Sequence, residues 1–278
     1  IIVPKTTTSI GNNAFFNCCG ITEFNIPEGV SKISNYTFGN CSNLRDITIP
    51  GTVETIGEYA FSNCTGLESV SLSQGIKTIE SYAFKGCTAL KNVELSSGLE
   101  KINNYAFCHC SSITRVVIPD SVTSIGDYAF LSCNLNDVCF DENSQLTSIG
   151  KQAFLYCMFA SITIPSSVTH IGAKAFGRLF SSTFDVTLLN NTACWELSNS
   201  NDESAEHINV NNYTATQLGN MFVGNKHEYE WNAREHAYGE WYVTDEPTCI
   251  STGTKRSECS KCGYHQTLNI PATGVHDY

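Results

Sequence analysis

Charged residues are scarce in this chain of 278 residues, and basic residues are the scarcest. Lysine and arginine together number 16, against 27 aspartates and glutamates, which gives a formal net charge of −11 at pH 7. Charged residues make up 15% of the sequence, well below the fraction of about a quarter that is usual in soluble domains. Because no basic patch is available to displace the counterions of a phosphate backbone, the composition argues against nucleic acid as a partner.

Long apolar runs are also missing. No stretch approaches the roughly 18 consecutive apolar residues of a membrane-spanning helix, and the sequence shows neither an initiator methionine nor a signal peptide. The chain opens with Ile1-Ile2-Val3-Pro4, in the middle of a repeat unit. We therefore expect a fragment of a longer protein, whose targeting signals would lie outside this sequence.

Motifs for catalysis are absent as well. The sequence has no serine-nucleophile motif, no phosphate-binding loop and no His-Glu-x-x-His. Its one Cys–His constellation is Cys108-His109-Cys110. Nucleophilic catalysis there would need a third, orienting group and an oxyanion pocket, and a short repeat supplies neither. We expect no enzymatic activity.

What the sequence does have is one phrase repeated eight times. The phrase first reads Ala14-Phe15-Phe16-Asn17-Cys18, and five steps of 23 residues are followed by one of 24 and one of 22. The later copies of its phenylalanine are Phe38, Phe61, Phe84, Phe107, Phe130, Phe154 and Phe176. A fixed period of about 20–29 residues predicts a leucine-rich repeat solenoid, in which each coil buries its apolar face against its neighbours.

The pattern within one coil predicts its parts. Ile47 and Ile49 alternate with polar residues, which indicates a strand with one buried face. Pro50 ends that strand, since proline cannot donate to a ladder. Ile56 supplies a second inward position on the return side, and a short turn of helix is expected to carry Phe61. Stacked coils would align the strands into a parallel sheet.

The outward residues of these strands form the candidate ligand-binding surface. On the concave face the candidates are Glu23, Asp46, Asn92, Glu94, Arg115 and Asp137. This face is polar and mildly acidic, and Arg115 stands out because binding hot spots favour tryptophan, tyrosine and arginine. A second candidate surface is a column of tyrosines two residues before each phenylalanine, which packing alone would also explain. Its members are Tyr36, Tyr59, Tyr82, Tyr105 and Tyr128.

The repeated phrase, Leu-x-x-Ile-x-Ile-Pro-x-x-Val-x-x-Ile-Gly-x-x-Ala-Phe-x-x-Cys, resembles the BspA-type, or Treponema pallidum type, leucine-rich repeat over about residues 1–185. The resemblance implies a right-handed α/β-type solenoid, a horseshoe or rod with a parallel sheet that is mostly strand and loop. It also implies an extracellular or cell-surface protein of a gut or oral bacterium. Such proteins are associated with adhesion, here to protein or glycan ligands on host matrix, mucosal or microbial surfaces. The alternative is a passive stalk that presents another domain.

Fourteen cysteines suggest two different roles. Seven occupy equivalent places in successive coils: Cys18, Cys41, Cys64, Cys87, Cys110, Cys133 and Cys157. Stacked coils would hold their Cβ atoms about 4.8 Å apart, whereas a disulfide needs about 3.8 Å. We expect small buried hydrophobes whose thiols donate weakly to turn carbonyls. Cys19, Cys108 and Cys139 break the column, and their disulfide state stays open.

The C-terminal cysteines predict a metal site. Cys259-Ser260-Lys261-Cys262-Gly263 is a C-x-x-C-Gly knuckle of the kind that binds zinc. The candidate ligand set is Cys249, Cys259, Cys262 and His276, with His236 and His265 as further histidines. A disulfide from Cys249 to the knuckle, or unpaired thiols, are the alternatives. The segment also resembles a small Cys-rich repeat of extracellular proteins of Firmicutes. No cofactor is expected in the solenoid.

These patterns divide the chain into three parts. Residues 1–193 form the solenoid with its C-terminal cap, 194–226 an acidic, Asn-rich connector, and 227–278 a small Cys-rich β module. Residues 194–197 are expected to form a turn of helix that closes the rod, with Trp195 as the cap, and 198–212 a mobile loop. Trp231 and Trp241 are expected to form the core of the small module, with stacking on sugar rings as the alternative.

Overall fold

The computed structural model describes residues 2–177, 184–190, 193–199, 202–223, 229–248 and 251–272. The repeats wind into a β-solenoid in which strands and hydrogen-bonded turns alternate, so the predicted leucine-rich repeat fold is confirmed. Within the described residues, no helix is both long enough and apolar enough to cross a bilayer.

One side of the solenoid carries the longer strands, and we call its outward side chains the strand face. These strands are β1 (Glu23–Asn25), β3 (Asp46–Thr48), β5 (Ser69–Ser71), β7 (Asn92–Glu94), β9 (Arg115–Ile118), β11 (Asp137–Phe140), β13 (Ser161–Ile164) and β15 (Asp185–Leu188). Their neighbours pair in parallel, with Phe24 opposite Ile47 and Ile47 opposite Val70. In β3, Ile47 is buried while the residues on either side are exposed, as the alternating pattern predicts.

The return side carries two-residue strands that form one continuous ladder. They are β2 (Lys32–Ile33), β4 (Thr55–Ile56), β6 (Thr78–Ile79), β8 (Lys101–Ile102), β10 (Ser124–Ile125), β12 (Ser148–Ile149) and β14 (His170–Ile171). Each strand places its isoleucine directly opposite the isoleucine of the next coil, for example Ile33 opposite Ile56. The bridge between Ile10 and Ile33 extends this column by one more coil.

The segment with the repeated phenylalanine is a run of turns and not the short helix that we predicted. From Phe15 to Phe154, two residues in the left-handed region flank each phenylalanine of the repeat, as Tyr59 (φ 55°) and Asn63 (φ 57°) flank Phe61. A left-handed residue interrupts helical geometry, and the amides freed in this way bond to the next coil. The amide of Phe61, for instance, donates to the carbonyl of Ala83 at 2.7 Å.

The phenylalanines stack along the interior of the solenoid. From Phe38 to Phe154 the rings of successive coils lie 5.1–5.3 Å apart and within 8° of parallel. The side chains of this stack are at most 1% exposed. Around it lie the isoleucine column and the inward residues of the strands, which together form one hydrophobic core.

The last coil is covered by α1 (Ala215–Val223), which packs against β15. Thr214 and Gln217 form a capping box at its start: each backbone amide donates to the other residue's side chain, at 2.8 and 3.2 Å. Phe222 meets the end of the phenylalanine stack edge-on, with its centroid 5.4 Å from that of Phe176. Phe222 also stacks on Trp231 at 4.1 Å. The apolar end that a solenoid must cover is therefore closed by aromatic side chains.

Two predictions for the segment after the solenoid are wrong. The expected turn of helix is strand β16 (Cys194–Asn199), and the expected mobile loop contains strand β17 (Asp202–Ile208) and a 3₁₀ turn (Val210–Asn212). The reason is pairing: β16 lies antiparallel to both β17 and β18 (Glu230–Arg234). Trp195 is fully buried, as expected of a cap, and its indole donates to the carbonyl of Asn190 at 3.0 Å.

Strand β18 attaches this group to the solenoid. It pairs antiparallel with β14, and Trp231 lies opposite Ile171, where the next coil would place an isoleucine. Trp231 therefore belongs to the core of the solenoid and not to a separate small core, while Trp241 is 37% exposed. The return ladder thus becomes a sheet of ten strands. The last described residues form a separate antiparallel sheet of β19 (Tyr242–Asp245), β20 (Gly253–Glu258) and β21 (His265–Ile270).

Candidate functional site

The six residues predicted to bind a ligand are all exposed on the strand face. They are Glu23, Asp46, Asn92, Glu94, Arg115 and Asp137, and each lies on one of the strands β1, β3, β7, β9 or β11. The coil repeat explains this placement, because the outward positions of equivalent strands must share one surface.

The parallel ladder of the strand face is interrupted twice. In the described part of the chain, β1, β3, β5 and β7 form one sheet, β9 and β11 a second, and β13 and β15 a third. A cavity of about 550 Å³ lies at the first interruption, and its lining includes the predicted residues Asn92, Glu94 and Arg115. We call this cavity the central groove. A volume of this size falls in the range of small-ligand and peptide-side-chain pockets.

The central groove mixes both charge signs with apolar surface. Lys91 and Arg115 contribute positive charge, while Glu94 and Asp141 contribute negative charge. Val117 also lines the groove and is 40% exposed. The sequence analysis missed Val117, although it occupies an outward position two residues after Arg115 and could have been found from the alternation.

Arg115 contacts two side chains of the neighbouring coil. Its Nε lies 3.1 Å from Oδ2 of Asp137, and its Nη2 lies 3.9 Å from the thiol of Cys139. The Arg115 and Asp137 side chains are 65% and 52% exposed, so this ion pair adds little to stability. The pair places the guanidinium beside the groove. Asp137 also lines a second cavity, of about 430 Å³, at the next interruption.

The predicted tyrosine column is a stack of rings. Successive centroids from Tyr36 to Tyr128 lie 4.5–4.6 Å apart, with the rings within 9° of parallel. Burial raises the pKa of Tyr59 and of Tyr105, and the adjacent tyrosines add to the rise. The faces of the interior rings are covered by their neighbours, which favours the packing explanation over ligand recognition by these faces.

The thiols of six of the seven repeat cysteines donate to turn carbonyls, as predicted, while the first, Cys18, is partly exposed. Each Sγ lies 3.0–3.3 Å from the carbonyl oxygen of the phenylalanine in the preceding coil. The cysteines are Cys41, Cys64, Cys87, Cys110, Cys133 and Cys157. Cys19, Cys108 and Cys139, whose pairing the sequence left open, are free thiols in the structure.

A second site lies at the C-terminal end, where four side chains form what we call the Cys/His cluster. Its members are Cys194, His236, Cys259 and Cys262, and their ligating atoms all lie within 4.8 Å of one another. The predicted knuckle cysteines are thus brought together with one of the three candidate histidines. The other predicted ligands, Cys249 and His276, lie outside the described residues. The sequence analysis missed Cys194.

The spacing of the Cys/His cluster suits a tetrahedral metal ion. Zinc bonds of about 2.3 Å to sulfur and about 2.0–2.1 Å to nitrogen put tetrahedral ligand atoms about 3.6–3.8 Å apart. The thiol of Cys262 lies 3.3 Å from Nδ1 of His236. The imidazole stacks on Tyr264 at 4.5 Å, which orients it, and its Nε2 is buried without a hydrogen-bond partner among the described residues.

The backbone around the knuckle is shaped to present its sulfurs. Gly263 adopts φ +72°, a conformation that favours glycine, and its amide donates to the carbonyl of Cys259 at 2.9 Å. Burial would raise the pKa of the Cys259 thiol. Hydrogen bonds from the amides of Cys262 and Lys261, and from the His236 side chain, outweigh this effect and lower the pKa to about 6.

The other two thiols are in the opposite situation. Burial raises the pKa of Cys194, and its proximity to Cys262 and Cys259 raises it further. Burial likewise raises the pKa of Cys262, with a further contribution from the charge of Cys259. Several thiolates crowded in a half-buried site repel one another unless a cation neutralises them.

Comparisons with known proteins agree with this architecture. A family model for the BspA type leucine rich repeat region matches six copies, over residues 1–114 and 100–226. A leucine rich cell surface protein from Faecalibacterium prausnitzii A2-165 is 30% identical, with a TM-score of 0.56, covering 67% of this chain and 54% of that one. A leucine-rich repeat protein from Bacteroides ovatus ATCC 8483 is 30% identical, with a TM-score of 0.49 and coverages of 66% and 53%.

A leucine-rich repeat protein from T. pallidum is 22% identical, with a TM-score of 0.45, covering 57% of this chain and 76% of that one. No curated protein matches the chain. The chain spans about half the length of the F. prausnitzii and B. ovatus proteins. Because the family model matches most of the sequence, the chain belongs to the BspA-type leucine-rich repeat family.

Proposed function

We propose that this chain is part of an extracellular interaction protein, displayed on the cell surface of a bacterium, that binds a protein or glycan of a host or microbial surface without catalysis. Membership of the BspA-type family and the likeness to a cell surface protein of F. prausnitzii support the location and the class of function. Leucine-rich repeat solenoids generally act by binding, over the wide surface that stacked coils provide.

The central groove carries the proposal for where binding occurs. Three residues predicted from the sequence, Asn92, Glu94 and Arg115, line this one cavity. Arg115 and the exposed Val117 supply the combination of a guanidinium and apolar surface that hot spots favour. A partner with a carboxylate beside a small apolar group would match this arrangement.

Solid-phase binding of the whole chain to a panel of matrix proteins, mucins and glycans would test the proposal. We expect Arg115→Glu to weaken binding about 30-fold, the equivalent of a hot-spot loss of about 2 kcal/mol. The matched control is Arg45→Glu. The Arg45 side chain is 69% exposed and lies 3.8 Å from Glu68 of the next coil, an environment like that of Arg115 but outside the central groove.

The outcomes separate the candidate functions. Weaker binding by Arg115→Glu, with Arg45→Glu unchanged, would support the groove. Equal binding by both variants would refute the groove and leave another surface of the solenoid. If the unmodified chain bound nothing on the panel, the passive stalk would become the better explanation.

We also propose that the knuckle sulfurs of Cys259 and Cys262, together with His236, hold a structural zinc ion. The convergence of these three groups in the described residues supports the site. A fourth protein ligand would complete the tetrahedron and leave no open position for substrate, which is the pattern of a structural site. Elemental analysis should find about one zinc per chain, and a chelator should lower the melting temperature. A zinc content far below one, with melting unaffected by the chelator, would refute the site.

A further inference from the structure

The members of the Cys/His cluster come from two different parts of the fold. Cys259 and Cys262 lie in the connection between β20 and β21, and His236 lies two residues after β18. Cys194 is instead the first residue of β16, which belongs to the ten-stranded sheet and lies beyond β14, the last strand of the return ladder. It is separated from the knuckle by more than 60 positions in sequence, yet its thiol lies within 4.8 Å of the other ligating atoms.

The backbone ladder explains how Cys194 reaches the knuckle. Cys194 lies opposite Arg234 in the pairing of β16 with β18, and the chain continues from Arg234 directly to His236. The next residues run along the knuckle: Tyr238 bridges to Cys259, and the carbonyl of Ala237 accepts from the amide of Ser260 at 3.1 Å. The chain that leaves β18 is therefore hydrogen-bonded to the knuckle.

Cys194 is fully buried and is positioned by strand pairing on both sides. Its neighbour Trp195 pairs with Ala233 of β18 and with Ile208 of β17. Nδ1 of His207, also on β17, lies 3.9 Å from the Cys194 sulfur. A ring nitrogen at this position could donate to a coordinated thiolate, which is the usual role of the groups behind the ligands of a metal site.

We infer that Cys194 is the fourth ligand of the zinc ion, and that the ion clasps the three-stranded sheet of β19–β21 to the end of the solenoid. The inference rests on the proposed zinc site but goes beyond it, because the three ligands of that proposal all follow β18 in the chain and include no residue of the ten-stranded sheet. With Cys194 included, one metal ion joins the solenoid cap to the C-terminal sheet. Zinc loading would then govern whether the two parts are rigidly attached.

Cobalt substitution in the full chain tests the ligand set, because the intensity of the thiolate-to-cobalt charge-transfer absorption follows the number of thiolates. We expect Cys194→Ser to lose about a third of this intensity, as three sulfurs become two. The matched variant is Cys249→Ser, which removes the sulfur that the sequence pattern alone suggests as the third. We expect Cys249→Ser to leave the spectrum unchanged.

Hydrogen exchange tests the clasp without requiring Cys194 to be changed. In the Cys259→Ser chain, with zinc supplied, we expect the amides at the start of β16 to exchange faster than in the zinc-loaded unmodified chain. The reason is that the loss of one ligand releases the ion and with it the tie to β16. The control is Cys108→Ser, a substitution of a buried cysteine within the coils. We expect it to leave exchange in β16 unchanged.

The results distinguish this inference from the zinc proposal beneath it. Tetrahedral cobalt bound equally by Cys194→Ser and the unmodified chain, with unchanged exchange in β16, would overturn the clasp and leave the zinc site standing. Loss of the sulfur signal in Cys249→Ser instead of Cys194→Ser would also overturn it. Failure of the unmodified chain to bind cobalt or zinc would overturn both.

Discussion

Replacing Phe84 with alanine tests the stacked core directly. Phe84 is fully buried, and its ring lies 5.1 Å from that of Phe61 and 5.2 Å from that of Phe107, nearly parallel to both. The substitution removes one ring from the middle of a continuous stack. It leaves the backbone free to keep its bond from the Phe84 amide to the carbonyl of Ala106, at 2.8 Å.

The expected cost follows from these contacts. Burial of a phenylalanine side chain stabilises the folded state by about 1.5–3 kcal/mol. Each of the two ring pairs contributes a further stabilisation of about 0.5–1.5 kcal/mol. The coils on either side cannot collapse into the vacancy, because the ladders on both sides of the solenoid fix their spacing. We therefore expect a loss of about 3–5 kcal/mol in the free energy of unfolding, the usual range for such a substitution.

Urea denaturation followed by far-ultraviolet circular dichroism would measure this loss. The matched control is Phe16→Ala: Phe16 belongs to the same repeated phrase but is 43% exposed and outside the parallel stack. We expect the control to lose less than about 1 kcal/mol. A loss below about 1 kcal/mol for Phe84→Ala would refute the reasoning, since the ring would then contribute no more than a surface residue.

Two further predictions concern the cap and the thiols. Gly219→Ala should loosen α1 from the solenoid, because a Cβ at this position would overlap the carbonyl of Phe184. We expect proteolysis at α1 to be faster in this variant. In the control, Gly20→Ala, the added Cβ meets open space, and the rate of proteolysis should equal that of the unmodified chain. Burial raises the pKa of Cys41 and of Cys108 to about 11. Unfolded thiols ionise near pH 8.5, so the stability from keeping these thiols neutral is present below about pH 8.5 and lost as pH rises towards 11. Between about pH 8.5 and 11, the melting temperature of Cys108→Ala should fall less steeply with pH than that of the unmodified chain. Parallel curves of melting temperature against pH for the two proteins would contradict the raised pKa of Cys108.

The fold of the coils can be predicted well from the sequence because the same pattern of residues recurs in every coil. A constant period means that equivalent residues must stack, so the columns of phenylalanine, isoleucine, cysteine and tyrosine follow from the spacing alone. The turn around Phe61 was harder to predict. Its left-handed residues are tyrosine and asparagine, and tyrosine gives no local signal for that conformation.

The Cys/His cluster was only half predictable, for a related reason. The knuckle of Cys259 and Cys262 is a local motif, whereas Cys194 joins it through strand pairings that connect distant parts of the chain. The segment from Cys194 to Leu197 has no counterpart elsewhere in the chain, so no repeat pattern indicates its structure. A short apolar run of this kind is compatible with either helix or strand. Pairing with β17 and β18 decides in favour of strand. The interruptions of the strand face likewise depend on small differences between coils that the shared pattern does not record.

The interruptions between β7 and β9 and between β11 and β13 have a mechanical consequence. The hydrogen bonds between coils run along the direction of stacking. A force that pulls the two ends apart therefore acts on every junction between neighbouring coils, and the junctions open one at a time. Junctions held on the return side but not on the strand face should yield first. In force spectroscopy the molecule would then lengthen in steps of about one 23-residue coil, and the first steps would come from coils near its middle. A solenoid with an uninterrupted strand ladder would have no preferred point at which to open.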